Sequence, residues 1–113
     1  MQIIKDIVQC LDTHKSADIK IYDTRNITPF YDYVVNCTVS NSRQLGAVVR
    51  HLEDMSAEKG YPIKGVEGLN GGYWALVDLR DALVNVFLKD ERKKYDLDKL
   101  WQDLPQIPYE SCL

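Results

Sequence analysis

No apolar run in this sequence approaches the ~20 residues that a membrane-spanning helix requires. The opening MQIIKDIVQC sets Lys5 and Asp6 inside its apolar stretch, so it lacks a signal-peptide core, and a cytoplasmic protein is the expectation. Cysteine is scarce. Cys10, Cys37 and Cys112 are odd in number and widely spaced, which suits reduced thiols better than a disulfide framework or a zinc site. Only His14 and His51 exist to act as a base, and no serine or cysteine accompanies either in a nucleophile signature, so a hydrolase of that kind is a poor fit. Positive charge is not in excess: 14 Lys and Arg stand against 17 Asp and Glu, a net −3. That balance argues against nonspecific nucleic-acid binding, which Lys and Arg dominate, and is compatible with a basic protein partner. There is no internal repeat and no low-complexity tract. What remains, 113 residues with 45% hydrophobic and 27% charged, is the size and composition of one soluble globular domain.

The most informative stretch is EGLNGGYWALVDLRDALVNVFL, residues 67–88. It reads as a glycine-rich loop, a strand over 73–79, a turn at Leu79-Arg80-Asp81 and a second strand over 82–88. Side chains alternate faces along a strand. Tyr73, Ala75, Val77 and Leu79 therefore share one face with Val84, Val86 and Leu88, an apolar floor for helices. Trp74, Leu76 and Asp78 share the other with Leu83, Asn85 and Phe87. That mixture of aromatic, aliphatic and polar groups is the composition of a contact surface, and equally of an imperfectly apolar second core face.

Around this ribbon the rest of the chain takes its places. Ile3, Ile4, Ile7, Val8 and Leu11 form the stripe of an amphipathic helix over 2–14. Residues 16–24 alternate as a half-buried strand, and Pro29 separates it from a second strand over 31–39. In that strand Tyr31, Tyr33, Val35, Cys37 and Val39 form one row, and Asp32, Val34, Asn36 and Thr38 a second row expected to be partly solvated at its ends. Asn41 with Gln44 three residues on is a loose capping box, opening a helix that carries Leu45, Val48, Val49, Leu52 and Met55 to Lys59, before Gly60 ends it. His51 is expected at the surface of this helix. A short strand is expected within 61–66, charged helical structure over 89–95, and a last helix capped by Asp96 with Leu97, Leu100 and Trp101 on one face. The expected domain is 1–103, with 104–113 a short, loosely attached extension.

Enzyme signatures fit this sequence badly. GLNGG has no following Lys-Ser/Thr and precedes a strand, so it is a turn needing positive φ and not a phosphate loop. A strand leading to a serine at a helix start, with acidic residues later, resembles the ground plan of nucleotidyltransferases. Those enzymes use Gly-Ser and two aspartates one residue apart on a strand; here stand Val39-Ser40, and Asp78 and Asp81 across a turn. Asp96-Leu97-Asp98 has the spacing but falls at a helix start, where the dipole favours acid. No cofactor, metal or catalytic residue is assigned.

Asp32-Tyr-Val-Val35, Thr38-Val-Ser40-Asn-Ser-Arg-Gln44, Glu67-Gly68, Trp74-Ala-Leu-Val-Asp78-Leu-Arg-Asp81-Ala-Leu-Val-Asn85-Val-Phe87 and Arg92-Lys-Lys-Tyr95-Asp-Leu-Asp-Lys-Leu100-Trp101 occur in this order. Together they resemble the ribosomal silencing factor (RsfS, Iojap-like) family over about residues 3–101. The resemblance implies an α/β (α+β) fold, a mixed sheet of about five strands flanked by helices with nucleotidyltransferase-like topology but no known catalysis. It implies a translational repressor, homodimeric when free. Such a repressor binds the fourteenth protein of the large ribosomal subunit at the intersubunit face and blocks subunit joining, especially under nutrient limitation. The positions carried over as the contact surface are Trp74, Asp78, Asp81 and Tyr95, with Leu83 and Leu100 nearby. Three departures stand out: the family often has Gly at Val39, Gly at Arg80, which suggests another turn type here, and His at Asn85. Two alternatives stay open, a nucleotidyltransferase-like enzyme using nucleotide with magnesium and a homodimeric scaffold that buries Trp74 against its own copy.

Overall fold

The structure is a computed structural model describing residues 2–113. Its elements run α1 (Gln2–Thr13), β1 (Ala17–Asp23), β2 (Tyr33–Val39), α2 (Ser42–Lys59), β3 (Gly65–Glu67), β4 (Trp74–Asp78), β5 (Ala82–Leu88), α3 (Lys89–Tyr95), α4 (Leu97–Leu100) and β6 (Gln106–Ile107). Short 3₁₀ turns lie at Leu69–Gly71 and Tyr109–Cys112. The strands form one six-stranded mixed sheet in the order β3-β4-β5-β2-β1-β6, in which only the central β2–β5 pair is parallel. The expectation of a mixed sheet with flanking helices holds, with a sixth strand added by the tail. No described helix is long and apolar enough to cross a membrane.

The core lies between one sheet face and α1 with α2. Alternation sends Ile21, Val35, Cys37, Ala75, Val77, Val84 and Val86 to that face, all fully buried. Ile4, Ile7, Val8 and Leu11 of α1 and Leu45, Val48, Val49 and Leu52 of α2 close over them. Each such aliphatic side chain taken fully out of water contributes about 1.5–3 kcal/mol. Helix α2 starts where the cap motif places it. The Asn41 side chain accepts from the Gln44 N–H at 2.8 Å, while the Gln44 side chain reaches one residue further back to the Ser40 N–H. It ends at Gly60 with φ 80°, a left-handed cap.

Several expectations need correction. The tail is not loosely attached. Gln106 and Ile107 pair with Tyr22 and Ile21 on the edge of β1, the Asp23 N–H donates to the Pro105 carbonyl at 2.9 Å, and Cys112 is buried against the core. Three or four apolar side chains suffice to hold a segment when an open strand edge offers its backbone groups. His51 keeps its expected place at the helix surface, partly exposed, with its ring stacked on that of His14 at 3.5 Å and an angle of 4°. Partial burial, and then the neighbouring imidazole, lower the His14 pKa from its ordinary value. Asp96 does not cap the last helix: it sits at φ 47° with no side-chain cap bond, the left-handed corner between α3 and α4. That helix is a single turn, and Leu100 is left out of the apolar face at 70% exposure. Tyr73 lies just outside β4 and is exposed.

Candidate functional site

The opposite sheet face carries the ribbon's second row. The antiparallel register sets Trp74 beside Phe87, Leu76 beside Asn85 and Asp78 beside Leu83, as alternation across the turn requires. The parallel register then sets Asn36 beside Asn85, and β1 adds Tyr22 beside Val34. Over this face fold α3 and α4, and the surface between them is the candidate site.

Trp74 is half-buried. Its ring packs on Phe87 (centroids 5.1 Å apart, 27°) and on Tyr95 from the end of α3 (5.1 Å, 41°), both within the range of favourable aromatic pairs. Tyr95 remains 49% exposed, with the Lys94 ammonium 5.5 Å from its ring centre. The indole edge points inward. Its Nε1–H donates to Asn85 Oδ1 (3.1 Å), Asn85 Nδ2 donates to Asn36 Oδ1 (3.0 Å), and Asn36 Nδ2 donates to Asp98 Oδ1 (3.1 Å). Asp98 also accepts from the Tyr22 hydroxyl (2.7 Å) and from Arg92 Nε and Nη2 (2.8 and 3.1 Å). Arg92 Nη1 donates onward to the Asp18 carbonyl (2.7 Å) and Thr38 Oγ1 (2.9 Å).

This chain of bonds is why polar groups can lie under the sheet. Asn36 and Asn85 are almost wholly buried, and a buried amide without partners costs about 1–3 kcal/mol. Here the named donors and acceptors meet in sequence. Burial alone would raise the Asp98 pKa; the hydrogen bonds from Arg92, Tyr22 and Asn36 outweigh it and hold the carboxyl at about 2. Burial first, and then the Asp98 carboxylate, push the Tyr22 phenol above its ordinary range.

The remaining expected contact residues do not join Trp74. Asp78 lies four residues along β4, roughly 14 Å away at about 3.4 Å per residue. It is half-buried beside Leu83, with Oδ1 accepting from the Arg80 N–H at 2.9 Å. Asp81 is exposed in the turn, 3.6 Å from the Arg80 guanidinium. The carboxylates therefore mark the far end of the ribbon and do not flank the indole, because a single strand separates them by its own rise. Leu100 is exposed at the end of α4. Arg80 takes φ 69°, so the turn keeps the left-handed conformation that glycine favours. Val39 continues β2 in register with Leu88.

The glycine loop positions the aromatic end. Gly68, at φ 81°, lies so close to the Trp74 carbonyl that a Cβ there would collide with its oxygen, and the Ser42 hydroxyl donates to the Gly72 carbonyl at 2.7 Å. Sequence reasoning missed Asn36, Arg92 and Asp98. A polar residue in the middle of the β-branched run 33–39 was the one local signal. Among the described residues, no group of three or more His, Cys, Asp and Glu side chains is placed to hold a metal ion.

A family model described as "Ribosomal silencing factor during starvation" matches residues 1–112. The ribosomal silencing factor RsfS of Bacillus subtilis is 38% identical over 103 residues, covering 91% of this chain and 87% of its own. A Chromobacterium violaceum protein of known crystal structure is similar at a TM-score of 0.86 and 32% identity, over 93% of this chain and 88% of that one. More distantly, the mouse "mitochondrial assembly of ribosomal large subunit protein 1" is 26% identical over 98 residues, 84% of this chain and 43% of its own length.

Proposed function

This chain belongs to the ribosomal silencing factor family, and from that premise we propose that it is a non-enzymatic translational repressor in the cytoplasm. In this reading it binds the fourteenth protein of the large subunit at the intersubunit face, and its bulk keeps the small subunit from joining when nutrients run short. The free protein is a homodimer that gives way to one molecule per subunit. The name of the mouse relative, which refers to assembly of the ribosomal large subunit, supports a large-subunit partner.

The observation that carries the reading is the aromatic pair Trp74–Tyr95, half-open to solvent and held from behind by the buried amide chain. The Trp74 side chain is already fixed by its bond to Asn85, so docking costs it little further ordering, the circumstance in which an aromatic anchor dominates an interface. Asp78, Asp81 and Leu83 extend the contact along the ribbon, and Leu100 extends it beyond Tyr95. The net charge of −3 favours encounter with a protein rich in Lys and Arg, and disfavours direct reading of nucleic acid. Occupying space requires no catalytic group.

Co-sedimentation with purified large subunits, together with the yield of joined ribosomes, tests this. Trp74→Ala is expected to stay folded and to lose about 2–4 kcal/mol of binding. Unchanged co-sedimentation of the variant removes Trp74 from the interface.

A further inference from the structure

At the turn end of the ribbon the loop 24–32, between β1 and β2, exposes two large apolar side chains, Ile27 at 57% and Phe30 at 80%. Single exposed apolar residues are ordinary. These two stand on one short loop whose shape is fixed from inside. Thr24 is fully buried; its N–H donates to the Asp32 carbonyl and its Oγ1 to the Tyr31 carbonyl, both at 2.9 Å, so the loop's two ends are tied together. Its own carbonyl accepts from the N–H groups of Ile27 and Thr28, and Thr28 Oγ1 accepts from the Phe30 N–H at 3.2 Å. Pro29 restricts the backbone immediately before Phe30.

The loop is also bonded to the ribbon. The Asp81 carbonyl accepts from the N–H groups of Asp32 (2.7 Å) and Tyr33 (3.2 Å). The register sets Asp23 opposite Tyr33, Tyr33 opposite Ala82 and Leu83 opposite Asp78, so this end of the sheet gathers Asp23, Asp32, Asp78 and Asp81. Against the four carboxylates stand Arg25, paired to Asp23 at 2.7 Å, Arg80, 3.6 Å from Asp81, and Lys64, whose N–H donates to the Asp78 carbonyl, so this end carries a small negative excess. A rigid apolar tip set in an acidic surround fits a basic protein surface with a hydrophobic recess, and repels phosphate.

We infer that the 24–32 loop is a second arm of the partner-binding surface, with Phe30 and Ile27 seating in an apolar recess of the same basic ribosomal protein that the ribbon contacts. This rests on the proposed function, and the two can fail separately. Full-length protein carrying Phe30→Ser, Ile27→Ser or Phe30→Leu is titrated against purified large ribosomal subunits beside Trp74→Ala, with thermal melts and light scattering on each free variant. Phe30→Ser and Ile27→Ser are expected to melt like the parent and to weaken binding, Phe30→Ser by about tenfold, while Phe30→Leu retains most of the affinity. Loss of binding by Trp74→Ala with parental affinity in both serine variants overturns the loop inference and leaves the function standing. Parental binding by Trp74→Ala with weakened serine variants removes the ribbon from the contact and keeps the loop. A lowered molecular mass of free Phe30→Ser, with subunit binding intact, assigns the loop to self-association and overturns the inference.

Discussion

The indole N–H of Trp74 and the side-chain oxygen of Asn85 meet at 3.1 Å across β4 and β5, so the half-buried ring of the candidate interface is anchored to one of the most buried polar groups in the protein. The residue that could bind a partner is thereby prevented from turning. The consequences can be measured.

Trp74→Phe removes the N–H and keeps a ring; Asn85→Leu removes the acceptor and also strands Asn36 Oδ1. Asn85→Leu is expected to cost about 1–3 kcal/mol in urea unfolding, since it leaves buried polar groups unpaired. A double-mutant cycle should return a coupling of roughly 0.5–2 kcal/mol. Additive losses would mean that the two side chains act independently.

Asp98 has its pKa held at about 2, below the ~3.9 of an unfolded aspartate. A depressed carboxyl contributes stability that is complete above the unfolded value and lost as pH falls through the folded one. The Tm of the parent should therefore drop between about pH 4 and pH 2 more steeply than that of Asp98→Asn. At neutral pH the variant leaves Arg92, whose side chain is only 9% exposed, with the exposed Asp18 carboxylate at 3.6 Å as its remaining counter-charge. A loss of about 3 kcal/mol is expected there. Parallel Tm–pH profiles would remove Asp98 from this role.

Arg80 holds φ 69° in the hairpin turn, a conformation that costs a residue with a Cβ roughly 1–2 kcal/mol. Arg80→Gly relieves this and gives back part through the freer unfolded chain. The net expectation is a gain of about 0.5–1 kcal/mol in chemical unfolding, with subunit binding unchanged unless the Arg80 charge itself contacts the partner.

Removing residues 105–113 strips β6 from the edge of β1 and takes Ile107, Tyr109 and Cys112 from the core side. A loss of roughly 3 kcal/mol is expected, from the apolar area re-exposed. The bare β1 edge should also raise the tendency to aggregate, read as light scattering on storage. An unchanged melting curve would return the tail to the status of a loose extension.

The legible parts of this fold are those with short-range causes. The two faces of the 73–88 ribbon, the Asn41 cap, the Gly60 stop and the apolar stripe of α1 were all readable, because strand and helix periods act over two to four residues. The candidate site was legible in part. Trp74, Leu83 and Asp78 do share a sheet face, and Tyr95 does reach the indole. The resemblance groups Asp78 and Asp81 with Trp74 as one contact surface, but membership of a face says nothing about position along it, and the strand's rise sets them apart. Asp98 was set aside as a helix-start acid, although its partners Tyr22, Asn36 and Arg92 come from β1, β2 and α3.

Local pattern alone thus determined the ribbon, its two chemically distinct faces and the helices that cover one of them, since period and capping are properties of neighbouring residues. Tertiary structure alone decided that Asn36 stands beside Asn85, that Asp98 meets Asn36, and that the tail closes the sheet. The first two depend on the parallel β2–β5 register and the left-handed corner at Asp96, which bring together groups 49 to 76 residues apart, and the third on the β1–β6 pairing. No periodicity within a single segment encodes such distances.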